Sequence, residues 1–304
     1  MKLCSFRRDG RTRAGLVSGE MMIDLTSLAS GSHGDLPTTV LGWIERGQEG
    51  RTALEALAGG ESARSCAVSV SAADLVAPIA VLPRNVICVG ANYAEHVNES
   101  ERVVGAIDLP DDPVYFTKDV RSICGPYDDI VVDPDVTAQL DWEVELAVII
   151  GSEARNVTRD QALEHVWGYT ILNDVSARDI QLTRNQWWKG KSLEGSSPMG
   201  PFLVTADEIP DAQNLDLWCW VDGKEKQHDS TSQMVHGVAD IIADLSTTLT
   251  LRPGDVIATG TPAGVGLARS PQEWLTGGRV LESEIAGLGR QVNRIVTRER
   301  ATDG

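Results

Sequence analysis

The sequence predicts a mixed, β-rich α+β fold, because patterns typical of short strands recur along the chain. Apolar runs at residues 85–90 and 168–176 end in glycine or polar residues, as buried strands often do. Helical spacing of apolar residues is confined to a few stretches, the longest at residues 232–249. Hydrophobic residues make up 42% of the chain and charged residues 23%, a globular balance that supports a sizeable core.

Residues 1–78 are predicted to form a small N-terminal accessory domain, and residues 79–304 a catalytic domain. In the first part, strand and helix patterns are separated by small residues and by turn signals such as Asp9-Gly10 and Ser18-Gly19. We expect strands at 3–6, 14–17 and 21–25, a loop at 27–36, and helices at 38–46 and 52–58, the last ending at Gly59-Gly60. No residue pattern there carries evident chemistry.

In the second part, apolar runs and alternation predict strands, and a spacing of three to four residues predicts helices. The strands are expected at 85–90, 113–118, 141–150, 168–176, 202–205, 215–221, 255–259, 280–285 and 291–296. The helices are expected from residue 94, over 158–166 behind the N-cap Thr158, near Arg178, and over 232–249. Proline and glycine predict a connection at 128–135, a loop at 186–192 and a rigid turn at 198–201.

The overall charge argues against two classes of partner. The formal net charge is -17 and the sequence pI is about 4.7, which disfavours nucleic acid and anionic membrane surfaces. No apolar stretch approaches membrane-spanning length, and no apolar segment of a secretory signal follows the first residues. The 5 cysteines are scattered and odd in number, which is typical of reduced thiols in a cytoplasmic protein.

Glu143 and Glu145 form the most informative pair of residues. In a strand, residues two apart point to the same face, roughly 6.5–7 Å from each other. Two neighbouring carboxylates repel each other and are costly to desolvate, and a hard divalent cation offsets that cost. Asp174, at the end of an apolar strand, is the natural third carboxylate. The alternatives are an exposed acidic face on an edge strand and a helix-capping role for Asp174.

A second candidate pair is His96 and Glu99, which share one face of the helix expected from residue 94. A carboxylate beside an imidazole orients it and raises its basicity, which makes a general base near neutral pH. The alternative is a surface His–Glu pair. His236 is instead expected to pack on the long helix. The glycines of residues 260–266 let backbone amides approach an anion, but their spacing is not that of a nucleotide-binding loop.

Five of these stretches, in order, resemble the fumarylacetoacetate hydrolase family, including its acylpyruvate hydrolases and 2-hydroxyhepta-2,4-diene-1,7-dioate isomerases. The resemblance covers about residues 80–298. It is carried by residues 90–96 (GANYAEH), 141–146 (DWEVEL), 168–179 (GYTILNDVSARD), 198–201 (PMGP) and 255–266 (DVIATGTPAGVG). Residues 1–78 resemble only loosely the N-terminal domain of many members.

The resemblance implies a β-roll of mixed sheets with few helices, usually a homodimer. It implies one divalent cation per subunit, Mg²⁺ or Mn²⁺, held by the positions that match Glu143, Glu145 and Asp174. It also implies a lid dyad at His96 and Glu99 and an active-site lysine at Lys191. The expected substrate contacts are Tyr93, Arg178, Gln181, Lys191, Gly260 and Thr261. Residues 192–197 (SLEGSS) depart from the Ser-Phe-Asp-Thr run that follows this lysine in many hydrolases.

The predicted function is hydrolysis of a C–C bond in a 2,4-dioxo acid of the acylpyruvate or fumarylpyruvate type, which yields pyruvate and a carboxylic acid. In this mechanism His96 and Glu99 activate a water, Lys191 stabilises developing charge, and the cation holds the 2-oxo acid. The same site serves isomerisation of a hydroxy-dienoate and decarboxylation or tautomerisation of oxaloacetate-like acids. A non-catalytic binder of small dicarboxylates is a further alternative. Trp187 and Trp188 are expected in the substrate pocket or in a dimer interface.

Overall fold

The computed structural model describes residues 1–18, 21–30, 36–58, 65–69, 71–105 and 111–298. Its strands form one large sheet, one smaller sheet and a separate two-stranded pair. The expected turn at Gly19 and the helix end at Gly59-Gly60 lie outside the described residues.

The strands are β1 Lys2–Arg8, β2 Arg11–Ser18, β3 Met21–Asp24, β4 Ala67–Val68, β5 Leu75–Val76, β6 Val86–Gly90, β7 Val114–Lys118, β8 Ile123–Cys124, β9 Ile130–Val132, β10 Leu140–Asp141, β11 Val144–Ile150, β12 Val166–Asn173, β13 Ser176–Ala177, β14 Ser197–Thr205, β15 Asp216–Val221, β16 Lys224–Ser230, β17 Val256–Ala258, β18 Val280–Ile285 and β19 Gly289–Thr297.

The large sheet has the strand order β4-β3-β2-β1-β14-β12-β11-β17-β6-β7. The smaller sheet has the order β16-β15-β18-β19-β9, and β10 pairs with β13. Most neighbouring strands are antiparallel, and parallel pairs form between β17 and β6, β14 and β8, and β19 and β9.

The helices are short and lie outside the sheets. They are α1 Leu25–Ser30, α2 Val40–Glu45, α3 Gly47–Ala58, α4 Ala94–Val104, α5 Arg159–Ala162, α6 Arg178–Gln181, α7 Trp188–Lys191 and α8 Val238–Thr248. This arrangement confirms the prediction of a mixed, β-rich α+β fold with few helices. In the part of the chain that the structure describes, no helix has the length and apolar character needed to cross a membrane.

Strand β11 separates two apolar cores, and every residue of it is buried. Val144, Leu146 and Val148 belong to the core shared with the smaller sheet. Ala147 and Ile149 point the other way, into the core shared with the N-terminal strands. Because successive side chains of a strand alternate between faces, the buried Glu145 lies on the second side. Because both faces of β11 are buried, most of its residues are apolar. The acidic residues lie only at the start of the strand.

The first strands of the chain extend the large sheet rather than forming a sheet of their own, since β1 pairs with β14 at Lys2↔Val204 and Leu3↔Leu203. The boundary at residue 78 stays a prediction. Two segments expected to lack regular structure, one in each part of the chain, differ from the structure. Residues 27–30, expected in a loop, belong to α1, and the acidic connection at 128–135 contains the short strand β9.

Three boundaries near the site were also predicted wrongly. Residues 198–201, expected as a turn, lie inside β14, where a register shift against β12 accommodates the prolines. Residues 188–191, expected in a loop, form α7. The long helix begins at Val238 rather than at residue 232, because the amides of Val235 and His236 bond to the carbonyl and side-chain oxygens of Asn92. His236 therefore precedes the helix instead of packing on it.

Candidate active site

The acidic cluster forms where β11 begins and β12 ends. The strands are antiparallel and Val144 is paired with Asn173, so Glu143, just before β11, lies beside Asp174, just after β12. The amide of Asp174 donates to the carbonyl of Glu143 at 2.8 Å. Ligand oxygens of Glu143, Glu145 and Asp174 all lie within 4.8 Å of one another. The strand thus begins at Val144, one residue after Glu143, yet the two glutamates converge as the sequence predicts.

All three carboxylates are buried. The exposed fractions are 4% for Glu143, 2% for Glu145 and 0% for Asp174. The alternative of an exposed acidic strand face is therefore wrong. The capping alternative for Asp174 also fails, because α6 has Ala177 as its N-cap and no side chain caps it. Buried carboxylates need compensation by cations or hydrogen bonds, and both are present here.

Lys191 supplies one of the compensating cations. Its Nζ donates to Oε2 of Glu143 at 2.5 Å and to Oδ2 of Asp174 at 2.8 Å. The short helix α7 lifts the residue to this position, and the side chain is 3% exposed. The ammonium therefore marks the point towards which two of the carboxylates converge.

Arg178 supplies a second cation and has three partners. Its Nη2 donates to Oε1 of Glu143 at 2.6 Å, its Nε to Oδ2 of Asp141 at 2.9 Å, and its Nη1 to Oε1 of Gln181 at 3.0 Å. Each oxygen of Glu143 thus accepts from a different cation. The guanidinium fixes the orientation of this carboxylate, as a charge-assisted hydrogen bond does.

The neighbouring charges separate the two glutamates electrostatically. Burial opposes ionisation of Glu143, but Arg178 and Lys191 outweigh it and hold the pKa of this carboxyl well below its usual range. Burial raises the pKa of Glu145 well above its usual range, and the charges of Asp174 and Glu143 raise it further. Glu145 accepts a hydrogen bond from the amide of Gly260 at 2.9 Å, which opposes these effects without cancelling them. The cluster therefore lacks positive charge on its Glu145 side.

These residues fit a hard divalent cation. The ligand atoms are carboxylate oxygens, which Mg²⁺ and Mn²⁺ prefer. Among the residues that the structure describes, the cluster includes no cysteine or histidine. The pKa of Glu145 is raised by its burial and by the two neighbouring carboxylates. A divalent ion held by Glu143, Glu145 and Asp174 would supply positive charge beside Glu145.

The affinity for Mn²⁺ is expected to rise with pH. Because the pKa of Glu145 is raised, a proton competes with the cation for this carboxylate at lower pH, and each increase in pH removes that competition. The apparent affinity should increase by up to about tenfold per pH unit until Glu145 is ionised. Mn²⁺ titration followed by electron paramagnetic resonance across neutral pH measures this. The Glu145→Gln variant should bind weakly with a flatter dependence, and an equally steep one would contradict the assignment.

The His96–Glu99 pair forms as the helical spacing predicts. Both residues lie on α4, with Nδ1 of His96 3.0 Å from Oε1 of Glu99. Glu99 also accepts from the amide of Gly264 at 2.9 Å and from that of Val265 at 3.4 Å. The side chains are 13% and 15% exposed, so the pair is not a solvated surface pair. Glu99 therefore orients the imidazole and fastens α4 to the glycine-rich turn.

A cavity of about 100 Å³ lies between α4 and the carboxylates. This is below the roughly 300–1,000 Å³ of pockets for drug-sized ligands, so a small ligand fits it. Its polar lining residues are His96, Ser100, Glu143, Glu145, Arg178, Gln181, Lys191 and Thr261. The apolar part is lined by Val89, Val97, Phe116, Leu182, Trp187 and Leu267. The cavity thus has a charged end at the carboxylates and an apolar wall.

The predicted substrate contacts have different surroundings. Arg178, Gln181, Lys191 and Thr261 line the cavity, whereas the Gly260 amide is bonded to Glu145. Thr261 Oγ1 donates to the carbonyl of Val144 at 2.9 Å and accepts from Gln227 at 2.8 Å. Tyr93 is 1% exposed, belongs to the apolar core and does not border the cavity. Contact of these residues with substrate stays a prediction.

The two neighbouring tryptophans occupy different environments. Trp187 lines the cavity and packs edge-to-face on Phe116, with ring centroids 5.4 Å apart. A Cβ on Gly90 would come within 2.7 Å of its ring, so the absence of a side chain there makes room for it. Trp188 is 46% exposed. The pocket interpretation therefore holds for Trp187 and not for Trp188.

Two buried residues of the site have roles that the sequence did not predict. The carboxylate of Asp141 accepts from the amides of Gly266 at 2.6 Å and Leu267 at 3.0 Å, in addition to Arg178. It joins the glycine-rich turn to the charged cluster. Lys118, at the end of β7, donates to Oδ1 of Asp174 at 2.6 Å. The sequence signal for Asp141 was its position two residues before Glu143, and that for Lys118 was its position at the end of a strand. Neither signal indicates which residue the side chain binds.

Comparison with known proteins agrees with this geometry. Residues 85–296 match the model of the fumarylacetoacetate (FAA) hydrolase C-terminal family. The chain belongs to the fumarylacetoacetate hydrolase family. This confirms the resemblance read from the sequence, and members of this family that match the chain include hydrolases, isomerases and tautomerases. The family therefore establishes an enzyme fold, while the reaction depends on the site.

Three relatives illustrate the range of the family. The human mitochondrial oxaloacetate tautomerase FAHD2A is 40% identical over 264 residues, which are 86% of this chain and 81% of that protein. The fumarylacetoacetate hydrolase of Exiguobacterium antarcticum has a TM-score of 0.81 at 39% identity, covering 98% of this chain and 100% of that chain. The maleylpyruvate hydrolase of Sphingobium sp. SYK-6, in complex with manganese(II) and pyruvate, has a TM-score of 0.76 at 27% identity and the same coverage.

Proposed function

We propose that this protein is a divalent-metal-dependent enzyme that interconverts the keto and enol forms of a small 2-oxo acid of the oxaloacetate class. The observation that carries the proposal is the small cavity bordered by Glu143, Glu145 and His96, with the buried Asp174 within 4.8 Å of the two glutamates. The similarity to oxaloacetate tautomerases, which extends over 86% of this chain, supports the choice of reaction. The cation, Mg²⁺ or Mn²⁺, is held by Glu143, Glu145 and Asp174.

A divalent cation held by these carboxylates would supply Lewis-acid stabilisation of negative charge on the 2-oxo group. Arg178 and Lys191 hold Glu143 ionised and oriented for this role. His96 accepts the proton that leaves C3, with Glu99 fixing the orientation of the ring. A proton is returned to the 2-oxygen, so the enol has the same composition as the keto acid.

Hydrolysis of a short acylpyruvate is the second candidate, and two observations favour it. The His96–Glu99 pair has the arrangement of a base that deprotonates water. The apolar wall around Trp187 and Phe116 provides a surface for an uncharged acyl chain. Water adds to the distal carbonyl, the C–C bond breaks, and C3 takes a proton, which releases pyruvate and a carboxylic acid. The His96–Glu99 pair that serves enolisation therefore also serves cleavage if a water enters the cavity.

The two reactions are separated by product analysis with the same enzyme. Enol-rich oxaloacetate should lose its ultraviolet enol absorbance faster with enzyme and Mn²⁺ or Mg²⁺, without release of pyruvate. Acetylpyruvate should yield pyruvate and acetate if the second candidate is correct. EDTA should abolish either activity, and the added cation should restore it, because the site depends on the ion. Enol conversion that EDTA does not affect would contradict the proposal.

A further inference from the structure

Lys118 is a buried cation that the proposed chemistry does not use. It ends β7, its side chain is 0% exposed, and it is absent from the residues that border the cavity. Its Nζ donates to Oδ1 of Asp174 at 2.6 Å, to the carbonyl of Val175 at 3.1 Å, and to the carbonyl of Lys191. An ammonium has three donors, so these contacts use all of them.

The two oxygens of Asp174 are bound by different lysines. Oδ1 accepts from Lys118, whereas Oδ2 accepts from Lys191, which also reaches Oε2 of Glu143. Lys118 thus binds the oxygen of Asp174 that does not contact Lys191. Because Lys118 holds this oxygen, the carboxylate cannot rotate about its Cβ–Cγ bond without breaking the hydrogen bond to Lys118. The free lone pairs of Asp174 are therefore kept in a fixed direction.

The contact with the Lys191 carbonyl fixes a second element. Lys191 is the last residue of α7, which is a single helical turn. By holding this carbonyl and that of Val175, Lys118 joins the end of α7 to the chain that follows β12. One ammonium thus sets the position of Asp174 relative to the residue that carries the active-site ammonium.

We propose that Lys118 is a positioning residue of the metal centre, which orients Asp174 and anchors the backbone of Lys191 from behind the cavity. The proposal rests on the metal site described under the proposed function. An ordinary buried ion pair would stabilise the fold alone. A positioning residue affects ion binding as well, since partners of metal ligands typically change affinity or activity by about 10–100-fold when removed.

The experiment compares Mn²⁺ binding to the full-length wild type and the Lys118→Met variant by electron paramagnetic resonance of free Mn²⁺. Methionine keeps much of the side-chain length and removes the donors. We expect the dissociation constant to rise by about 10–100-fold, because Asp174 loses its orientation. The matched control is Arg13→Met, which removes the cation from the equally buried Asp24 in the N-terminal strands. It should lower the melting temperature without changing Mn²⁺ affinity.

Each outcome bears on a different statement. Absence of Mn²⁺ binding to the wild type would overturn the proposed function and the role of Lys118 with it. Normal binding to the wild type and to Lys118→Met would overturn the positioning role alone. If Lys118→Met does not fold, Lys118→Arg decides the question, because it keeps the charge but has the wrong shape for three converging acceptors. The Mn²⁺ affinity of Lys118→Arg should fall below that of the wild type, and an unchanged affinity would overturn the proposal.

Discussion

Glu143→Gln is expected to lower the metal-dependent kcat/KM by at least about 10³-fold and to abolish measurable Mn²⁺ binding at neutral pH. The substitution keeps the shape of the side chain but removes its charge. The pKa of Glu143 is held well below its usual range, because Arg178 and Lys191 bond to its two oxygens and outweigh the effect of burial. A glutamine must turn its amide NH₂ towards one of these cations, so the variant loses a ligand and gains a donor–donor contact.

The measurement combines enol conversion with Mn²⁺ titration, and circular dichroism verifies that the variant is folded. Glu153→Gln is the matched control, because Glu153 is an exposed glutamate in the turn after β11. The control should behave as the wild type does in both assays. If Glu143→Gln retained full activity while folded, Glu143 would not be a ligand of a catalytic ion. Loss of activity with unchanged Mn²⁺ binding would instead restrict Glu143 to orienting the substrate.

The carboxylate cluster was predictable because it depends on short-range periodicity. The alternation before residues 147–150 placed Glu143 and Glu145 together, and the end of an apolar run marked Asp174. The His96–Glu99 pair followed from helical spacing in the same way. In each case the geometry of one element, or the position of a residue at the end of an apolar strand, was enough to indicate the side chain.

The supporting residues were not predictable from such patterns. Lys118 and Asp174 are separated by 56 residues, and Asp141 and Gly266 by 125, so only the fold brings them together. Short polar segments were difficult for a related reason. The helix α7 is one turn long and begins at Trp188, without a side chain that caps its N-terminus, so its sequence contains no start signal. Tertiary contacts with the charged cluster stabilise it instead.

His96→Asn is expected to lower kcat by about 10²–10⁴-fold, the usual contribution of a general base, while Mn²⁺ affinity stays unchanged. His96 lines the cavity and bonds to Glu99, but it is not a member of the carboxylate cluster. Its removal should therefore affect proton transfer and leave the ion in place. This pattern is the reverse of that expected for Glu143→Gln, which loses the ion first.

Steady-state enol conversion and Mn²⁺ titration of the same preparation measure both effects. His228→Asn is the control, because His228 is 48% exposed and stacks on Trp218 in the smaller sheet. This substitution should change neither enol conversion nor Mn²⁺ affinity. A fall in Mn²⁺ affinity in His96→Asn would show that the imidazole acts on the ion. Unchanged kcat would assign the proton transfer to another group. Because α4 carries the proposed base and the strand ends carry the proposed metal ligands, these two variants separate proton transfer from charge stabilisation in one cavity.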